Sequence, residues 1–287
     1  MKAVLRVTAF PLILAASVAV AWWLLGAGVS PLAVIVTVSP VAAAFVIALE
    51  WTIPFRREWL RDQGDLRTDC IHLVVSAWVV ESLPALGHGA LIAGAIAVSG
   101  AVGRPPWPTE APVWAQLGLA LLVSELIHYT LHRALHAFDP MWRLHAVHHS
   151  APRLYWLNAT RVHPLEGLLH IATGATVLVV AGVPSEVLTL HAVWLGIGRL
   201  FQHANIDVRL GVLNLVFSGT EVHRFHHSIE RGEADANYGN NLLVWDWVFG
   251  TRRAVPHASA PAQIGGPRLP AGWWGQVTSP FRRDTAG

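Results

Sequence analysis

Two apolar runs stand almost back to back at the N-terminus. One leads from the basic start MKAVLRVTAF to about Gly26, the other from Pro31 to Pro54, and the turn GAGVS joins them. Each is near the roughly 20 residues that cross a hydrocarbon layer as a helix. A basic start followed by an apolar run also suits a cleaved signal peptide. Here, however, no small-x-small site precedes a polar mature start, and the second run follows at once. Two membrane helices are therefore expected. Composition agrees, since 53% of the 287 residues are hydrophobic and 13% charged, against about 25% charged in soluble domains. A chain of this length can bury a good core in water, so size does not force the shortage of charge. Fourteen Trp suit a protein with two lipid–water interfaces to anchor.

The charged stretch FRREWLRDQGDLRTD follows and belongs in water or among headgroups. A third apolar segment runs from Cys70 to about Leu86, continuing loosely to Val98. The Pro/Gly-rich loop GAVGRPPWPTEAP separates it from a fourth, Val113 to about His136. A fifth apolar region, Leu165 to Leu200, is broken at GVPS (182–185). Each half is roughly 25 Å of helix, short for a full crossing, so a tight hairpin or a half-immersed pair is expected. Arg6, Arg56, Arg57, Arg61, Arg67, Arg133, Arg143, Arg153 and Arg161 all follow even numbers of crossings, and the opposite loops hold only Arg104. The positive-inside rule then puts the N-terminus, the linker and the region around His128–His163 in the cytoplasm. The expected fold is an all-α membrane protein: about four transmembrane helices, a short apolar hairpin and a cytoplasmic helical cap. Residues 1–253 read as one membrane-embedded domain with N-terminal helices in 1–54. Residues 254–287, rich in Pro, Ala and Gly, read as a loosely ordered cytoplasmic tail. No dense Lys/Arg run points to nucleic acid. The single cysteine, Cys70, excludes a disulfide framework, a thiolate metal site and a fused rubredoxin-like carrier.

Sixteen His carry the functional argument. Three clusters lie on the expected cytoplasmic side: His128/His132, His145/His148/His149 and His223/His226/His227. Imidazoles at i and i+4 share a helix face. In each HxxHH the adjacent His points about 100° away, so one helix can serve two metals. A lone His is more often a hydrogen-bonded core or interface residue, and His72, His88, His170, His191 and His257 are read that way. His136 is read as the cationic end of its helix. Eight clustered imidazoles are different, because burying them close together is costly without a shared cation. They exceed the four ligands of one tetrahedral zinc and suit two metals. A nitrogen-rich, thiolate-free set fits Fe, Zn or Cu, with Fe preferred for O₂ chemistry.

The blocks HYTLHRALH (128–136), LHAVHHS (144–150), RVHPLE (161–166), FQHANI (201–206), VHRFHHS (222–228) and NYGNNLLVWDWVFGT (237–251) resemble the fatty acid hydroxylase/sterol desaturase superfamily of membrane di-iron oxygenases. The resemblance runs from about Glu50 to Thr251, with the catalytic part in 113–253. It implies hydroxylation or desaturation of a C–H bond in a sterol-like, fatty-acyl or ether lipid. It implies two Fe ions, replaceable by zinc on purification, and O₂ as co-substrate. As ligands it implies His128, His132, His145, His148, His149, His203, His223, His226 and His227. His163 stands as a tenth ligand or a supporting group. The chain contains no cytochrome b5-like block, so a separate cytochrome b5-, ferredoxin- or reductase-type electron donor is implied.

Metal-bound imidazoles usually donate their second N–H to a carboxylate or carbonyl. Candidates are Glu125, Glu221, Asp207 and Asp246, with Asn205 as holder of a metal-bound water. Glu81 and Glu125 lie inside expected membrane helices, where carboxylates mark function. Two rival readings are a membrane zinc hydrolase, needing an open metal position and a general base, and a metal-ion transporter. The transporter would need ionisable groups continuing through the bilayer, where only Glu125 and Glu81 stand. The expected location is an integral membrane protein, in the inner membrane if the source is bacterial, with its metal site facing the cytoplasm.

Overall fold

A computed structural model of the chain describes residues 1–79, 106–255 and 259–282. The end of the third apolar segment, Glu81, His88, Arg104 and His257 lie outside the described residues. Among the described residues the fold is helical, with no β-strand beyond isolated bridges such as Pro54–Ile206.

Helix α1 spans Lys2–Gly26 and α2 spans Pro31–Thr52. Ser30 caps α2, accepting the Ala33 N–H at 3.4 Å, and Pro31 opens its first turn, where a missing N–H costs nothing. Of α2, Val34, Val38, Ala42, Val46 and Leu49 are buried, a stripe at roughly four-residue spacing. The opposite side carries Leu32, Val36, Val41 and Phe45, each more than half exposed. A helix apolar all round with only one buried stripe is built for a lipid surround. Only 22% and 28% of the most apolar windows of α1 and α2 are buried, so these are not core helices of a water-soluble protein. They are the two helices, among the described residues, long and apolar enough to cross a membrane.

The linker then forms α3 (Leu66–Ile71), which widens into a π-turn over His72–Val79. Helix α4 runs Val113–Ala137 and, after one break at Phe138, α5 runs Asp139–His149. Helix α6 (Pro164–His170) continues through a π-turn into α7 (Thr176–Val180), and α8 (Ser185–His203) returns. The expected break at GVPS is a helix–helix turn in which Gly182 takes φ +84°, a left-handed conformation that favours glycine. Four short helices complete the chain: α9 (Thr220–His226), α10 (Arg231–Ala234), α11 (Val244–Val248) and α12 (Trp273–Thr278).

Helix α8 is the spine, packing against α1, α2, α4 and α9. Phe201 on α8 meets Phe10 on α1 edge-on, with ring centroids 5.2 Å apart. The end of α2 is tied down by Glu50, whose Oε1 accepts the backbone N–H groups of Trp156 and Asn205, both at 2.7 Å. The charged linker is likewise stitched to the loop after α5. Buried Arg153 donates to Asp65 Oδ2 at 2.9 Å and to the carbonyls of Trp59 and Arg61. Asp69 accepts from Arg161, Tyr155 and Asn158. Buried charges need such paired, hydrogen-bonded settings. Arg224 on α9 is fully buried with its guanidinium 3.5 Å from the centre of the Phe55 ring, and burial pulls its pKa down to about 9.

Of the stretch 254–287 expected to hang loose, the described residues 259–282 fold back as a strap. Gly265 donates its N–H to the His227 carbonyl at 3.0 Å, Gln276 meets His72 at 3.1 Å, and Ser279 and Pro280 are buried. Composition suggested a tail because Pro, Gly and Ala carry no periodic pattern. What holds the strap is close backbone packing: a side chain at Gly266 would stand 3.0 Å from His149 Cβ.

Candidate metal centre

Nine imidazoles converge where α4, α5, α8 and α9 meet. They form two groups: His132, His136, His145, His149 and His226 in one, His148, His203, His223 and His227 in the other. Within each group one nitrogen per residue lies within 4.8 Å of all the others, and all nine residues are buried. Helical spacing produces the division. In both HxxHH segments the i and i+4 residues fall in one group and the i+3 residue in the other: His145 and His149 against His148, His223 and His227 against His226. The two groups touch through adjacent residues, the His149 and His227 rings stacking with centroids 4.5 Å apart.

The outer nitrogens are mostly engaged. Each donates to an acceptor: His132 Nδ1 to Tyr238 O (2.8 Å), His148 Nδ1 to Arg161 O (3.1 Å), His203 Nδ1 to Arg199 O (2.9 Å) and His226 Nδ1 to Ala236 O (3.1 Å). His145 Nδ1 is paired with Glu166 Oε1 at 2.7 Å and His136 Nδ1 with Asp235 Oδ1 at 3.1 Å. A neutral imidazole that donates from Nδ1 has only a lone pair at Nε2. Those lone pairs face one another: His132 Nε2 lies 3.1 Å from His145 Nε2, and His148 Nε2 lies 3.1 Å from His203 Nε2. Nε2 of His136 and of His226 is buried with no hydrogen-bond partner. Burial, with the neighbouring imidazoles adding to it, holds His145, His148, His149, His223, His226 and His227 well below the usual imidazole pKa. Neutral imidazoles are the ligand form, and opposed buried lone pairs are repulsive without a cation between them. The donor set thus fits two metal ions, of five and four nitrogens.

A loop from Ala236 to Asn241 braces the first group. It supplies the carbonyls to His132 and His226 and is gripped from both sides by buried carboxylates. Glu125 accepts the N–H groups of Asn240 (3.0 Å) and Asn241 (2.8 Å). Asp246 accepts those of Tyr238 (2.8 Å) and Gly239 (2.9 Å) and the Thr251 hydroxyl. Asn237 holds φ 55°, a left-handed backbone that Asn tolerates better than other side chains. A Cβ at Gly239 would run into the Leu242 carbonyl.

The placement differs from the sequence expectation at several residues. His128 lies outside both groups, one turn up α4, stacked on His170 with centroids 4.8 Å apart. His136, read as a helix end, takes its place. His163 is also outside: its ring accepts the Leu165 N–H at the start of α6 and its other nitrogen meets Val277 O. Asn205 spends its side chain on the Arg56 backbone. Glu221 holds Leu210 N and Asn214, and Asp207 pairs with Arg6. Glu125 and Asp246 act through the loop rather than on any imidazole. The carboxylates that do touch imidazoles, Glu166 and Asp235, were not singled out. The signal for Glu166 was its place in RVHPLE; nothing local marks Asp235. His72 and His191 bond Gln276 and Ser124, as lone core histidines do.

Where the groups meet, a cavity of about 30 Å³ is lined by His132 and His145 of one group and His148, His203 and His223 of the other. His128, Glu166, His170 and Arg199 also line it. The space is enough for one molecule of water size.

The profile of the fatty acid hydroxylase family matches residues 117–251, the span that holds all nine imidazoles. An ornithine lipid hydroxylase of Rhizobium tropici is 34% identical over 244 residues, covering 84% of this chain and 73% of its own length. An alkylglycerol monooxygenase of Caenorhabditis elegans is 27% identical over 54% of this chain and 30% of its own. A methylsterol monooxygenase of Danio rerio is 31% identical over 51% and 49%. Against the last two, this chain therefore spans half or less of the relative. No solved structure matches.

Proposed function

Since the chain belongs to the fatty acid hydroxylase family and is an oxidoreductase, we propose that it inserts oxygen from O₂ into a C–H bond of a membrane lipid at a pair of iron ions. The observation that carries this reading is the pair of converging imidazole groups, whose opposed Nε2 lone pairs require cations. A hydrolytic zinc needs one site with an open position, and nine imidazoles in two groups exceed it. When bound, the metal pair supplies O₂ activation and abstraction of hydrogen from an unactivated carbon.

The remaining roles belong to the protein. His132, His145, His149, His136 and His226 would hold one ion, and His148, His203, His223 and His227 the other. Carbonyls of Tyr238, Ala236, Arg161 and Arg199 fix the ring orientations and keep Nε2 free to ligate. Glu166, buried against His145, raises the electron density of that ring, as a carboxylate paired with a ligand imidazole does. The small cavity between the groups has room for one small molecule of about water size. His128 of α4, His170 of α6 and Arg199 of α8 also line it, and the lipid carbon arrives between these helices.

The reading includes a topology. Helices α1 and α2 cross the membrane, with α4 as a further span. The imidazole groups sit in a cytoplasmic cap, on the side of the Arg-rich linker, and if the source is bacterial the membrane is the inner one. Residues 1–253 act as one unit. The substrate is a lipid whose oxidised carbon bears no activating group; the named relatives act on ornithine lipid, alkylglycerol and methylsterol. The R. tropici protein covers most of this chain, which favours an acyl-chain or amino-acid-lipid substrate over a sterol. The test is incubation of membranes containing the protein with oxygen-18 gas, a reductant and a bacterial lipid extract, read by mass spectrometry. One labelled oxygen in a lipid product, absent with the His148→Ala variant, supports the reading. Product without label, or equal product from His148→Ala, overturns it.

A further inference from the structure

Two short segments after α8 share an apolar face that the site does not use. One is the single turn Gly211–Leu215 with Val216, the other the end of α11 with Phe249. Val212, Leu215 and Val216 of the first and Trp247, Val248 and Phe249 of the second are each about half exposed or more. Scattered exposed apolar residues are ordinary, but a contiguous set marks an interaction surface. These are contiguous: the Trp247 indole donates to the Leu215 carbonyl at 2.8 Å, and the Leu243 N–H to the Val216 carbonyl at 2.8 Å.

The face continues the exposed apolar sides of two long helices. Toward α4, Trp245 donates its indole N–H to the Leu122 carbonyl at 3.0 Å, and Leu119 and Leu122 are exposed there. Phe249 stacks on Tyr129 of α4 with centroids 5.2 Å apart. Toward α1, the Arg209 N–H donates to the Arg6 carbonyl at 2.7 Å, and Phe217 meets Phe10 edge-on at 5.4 Å, on the helix where Val4 and Val7 are exposed. Phe10 lies about two turns inside α1, and Leu122 about four turns before the end of α4. Both anchor points therefore stand along the helices rather than beyond their ends.

The chemistry of the two segments suits lipid. Irregular backbone at membrane depth must bond its polar groups within the protein, and these segments bond each other. Val216 and Phe217 donate their N–H groups to the Leu213 carbonyl, Ser218 to Asn241, Trp247 to Leu243 and Phe249 to Trp245. Both indole N–H groups at the face are spent inside the fold. Negative charge is turned away from it: Asp246 is buried and bonded to the loop 236–241, and Asp207 pairs with Arg6. Arg252 lies 5.7 Å from the centre of the Trp247 ring, an aromatic stem for a cation that reaches headgroups.

Resting on the reading of α1, α2 and α4 as membrane spans, we infer that this face is a wedge into the bilayer. Residues 211–216 and 247–249 sink into the headgroup–acyl boundary of the leaflet nearest the imidazole groups, with lipid acyl chains as their partner. Interfacial apolar faces bury about 5–10 Å into that boundary. The wedge sets the height of the metal centre over the bilayer, since Asp246 on its inner side grips the loop that orients His132 and His226.

The experiment uses the full chain in nanodiscs of phosphatidylcholine and phosphatidylglycerol. Cys70, an exposed native thiol, is replaced by Cys70→Ser, and single nitroxide labels are attached through Val212→Cys and Val248→Cys. Phe45→Cys, on the exposed side of α2, is the lipid reference, and Glu230→Cys, at an exposed position, the water reference. Metal content and circular dichroism confirm that each variant is intact. Collision rates with O₂, which concentrates in lipid, and with a nickel chelate, which stays in water, are read by power-saturation electron paramagnetic resonance. Labels at 212 and 248 are expected to match the lipid reference in favouring O₂, at a depth of about 5–10 Å below the phosphates. Nickel access equal to that at 230 would overturn the inference while leaving the spans in place. Protection from both reagents, with spin–spin broadening that disappears on dilution with unlabelled protein, would also overturn it by assigning the face to a second copy. Nickel access at position 45 would sink the membrane reading of α2, and the inference with it.

Discussion

Removing the Glu125 carboxylate tests whether the loop 236–241 orients the metal ligands. Glu125 is 1% exposed and accepts the N–H groups of Asn240 and Asn241. In Glu125→Ala both donors are left buried without an acceptor, at about 1–3 kcal/mol each. The loss is about 2–6 kcal/mol, a large part of the 5–15 kcal/mol of a typical domain. Glu125→Gln keeps one acceptor oxygen and turns an NH₂ toward the other N–H, so about half of that loss is expected. The consequence for the site travels along four residues. The freed loop carries the carbonyls of Tyr238 and Ala236, which hold His132 and His226, and loss of such supports typically costs 10–100-fold in metal affinity. Asp246 grips the same loop from its other end, so the double variant Glu125→Ala/Asp246→Ala is expected to lose less than the sum of the singles. Metal affinity is measured by chelator competition and stability by thermal unfolding in detergent. Glu125→Ala with wild-type affinity and a melting point unchanged from wild type would refute the reasoning.

Three further outcomes follow from the geometry. His136→Ala is expected to lower metal affinity at least tenfold, while His128→Ala keeps the full metal content; the reverse ranking, read by elemental analysis, would move the site one turn up α4. The metal-free protein is expected to be acid-labile. Six imidazoles, at 145, 148, 149, 223, 226 and 227, have folded-state pKa values below the usual 6.5, so below that pH the unfolded chain binds protons that the folded one does not. Stability is fully present above pH 6.5 and falls as pH drops, by about 8 kcal/mol per pH unit once all six titrate in the unfolded state; a melting point flat between pH 7.5 and 5.5 would contradict it. Gly239→Ala is expected to cost about 1–3 kcal/mol through its clash with the Leu242 carbonyl, seen as a lower melting point with metal affinity falling in parallel.

The division of each HxxHH between two groups could be read from the sequence because helical periodicity alone decides it. The choice between His128 and His136 could not. His128/His132 and His132/His136 have the same spacing on the same helix, and only the docking of α5 and α9 against the end of α4 selects the second pair. Glu166 and Asp235 reach their imidazoles across 21 and 99 residues, and no local pattern records such approaches. The carbonyl supports were hidden for another reason: every residue has a carbonyl, and only the loop's path, set by Glu125, Asp246 and Gly239, points Tyr238 O at His132. The two N-terminal helices were legible because their apolar residues continue around the side that the fold leaves exposed. The strap was missed because backbone contacts such as Gly266 against His149 leave no hydrophobic period.

Metal content combined with Mössbauer spectroscopy, on detergent-purified protein grown with iron-57, tests the central claim most directly. The account predicts two irons per chain, with a magnetically coupled signal that changes on reduction by dithionite and again on exposure to O₂. One zinc per chain, or no metal in protein shown to be folded, would contradict it.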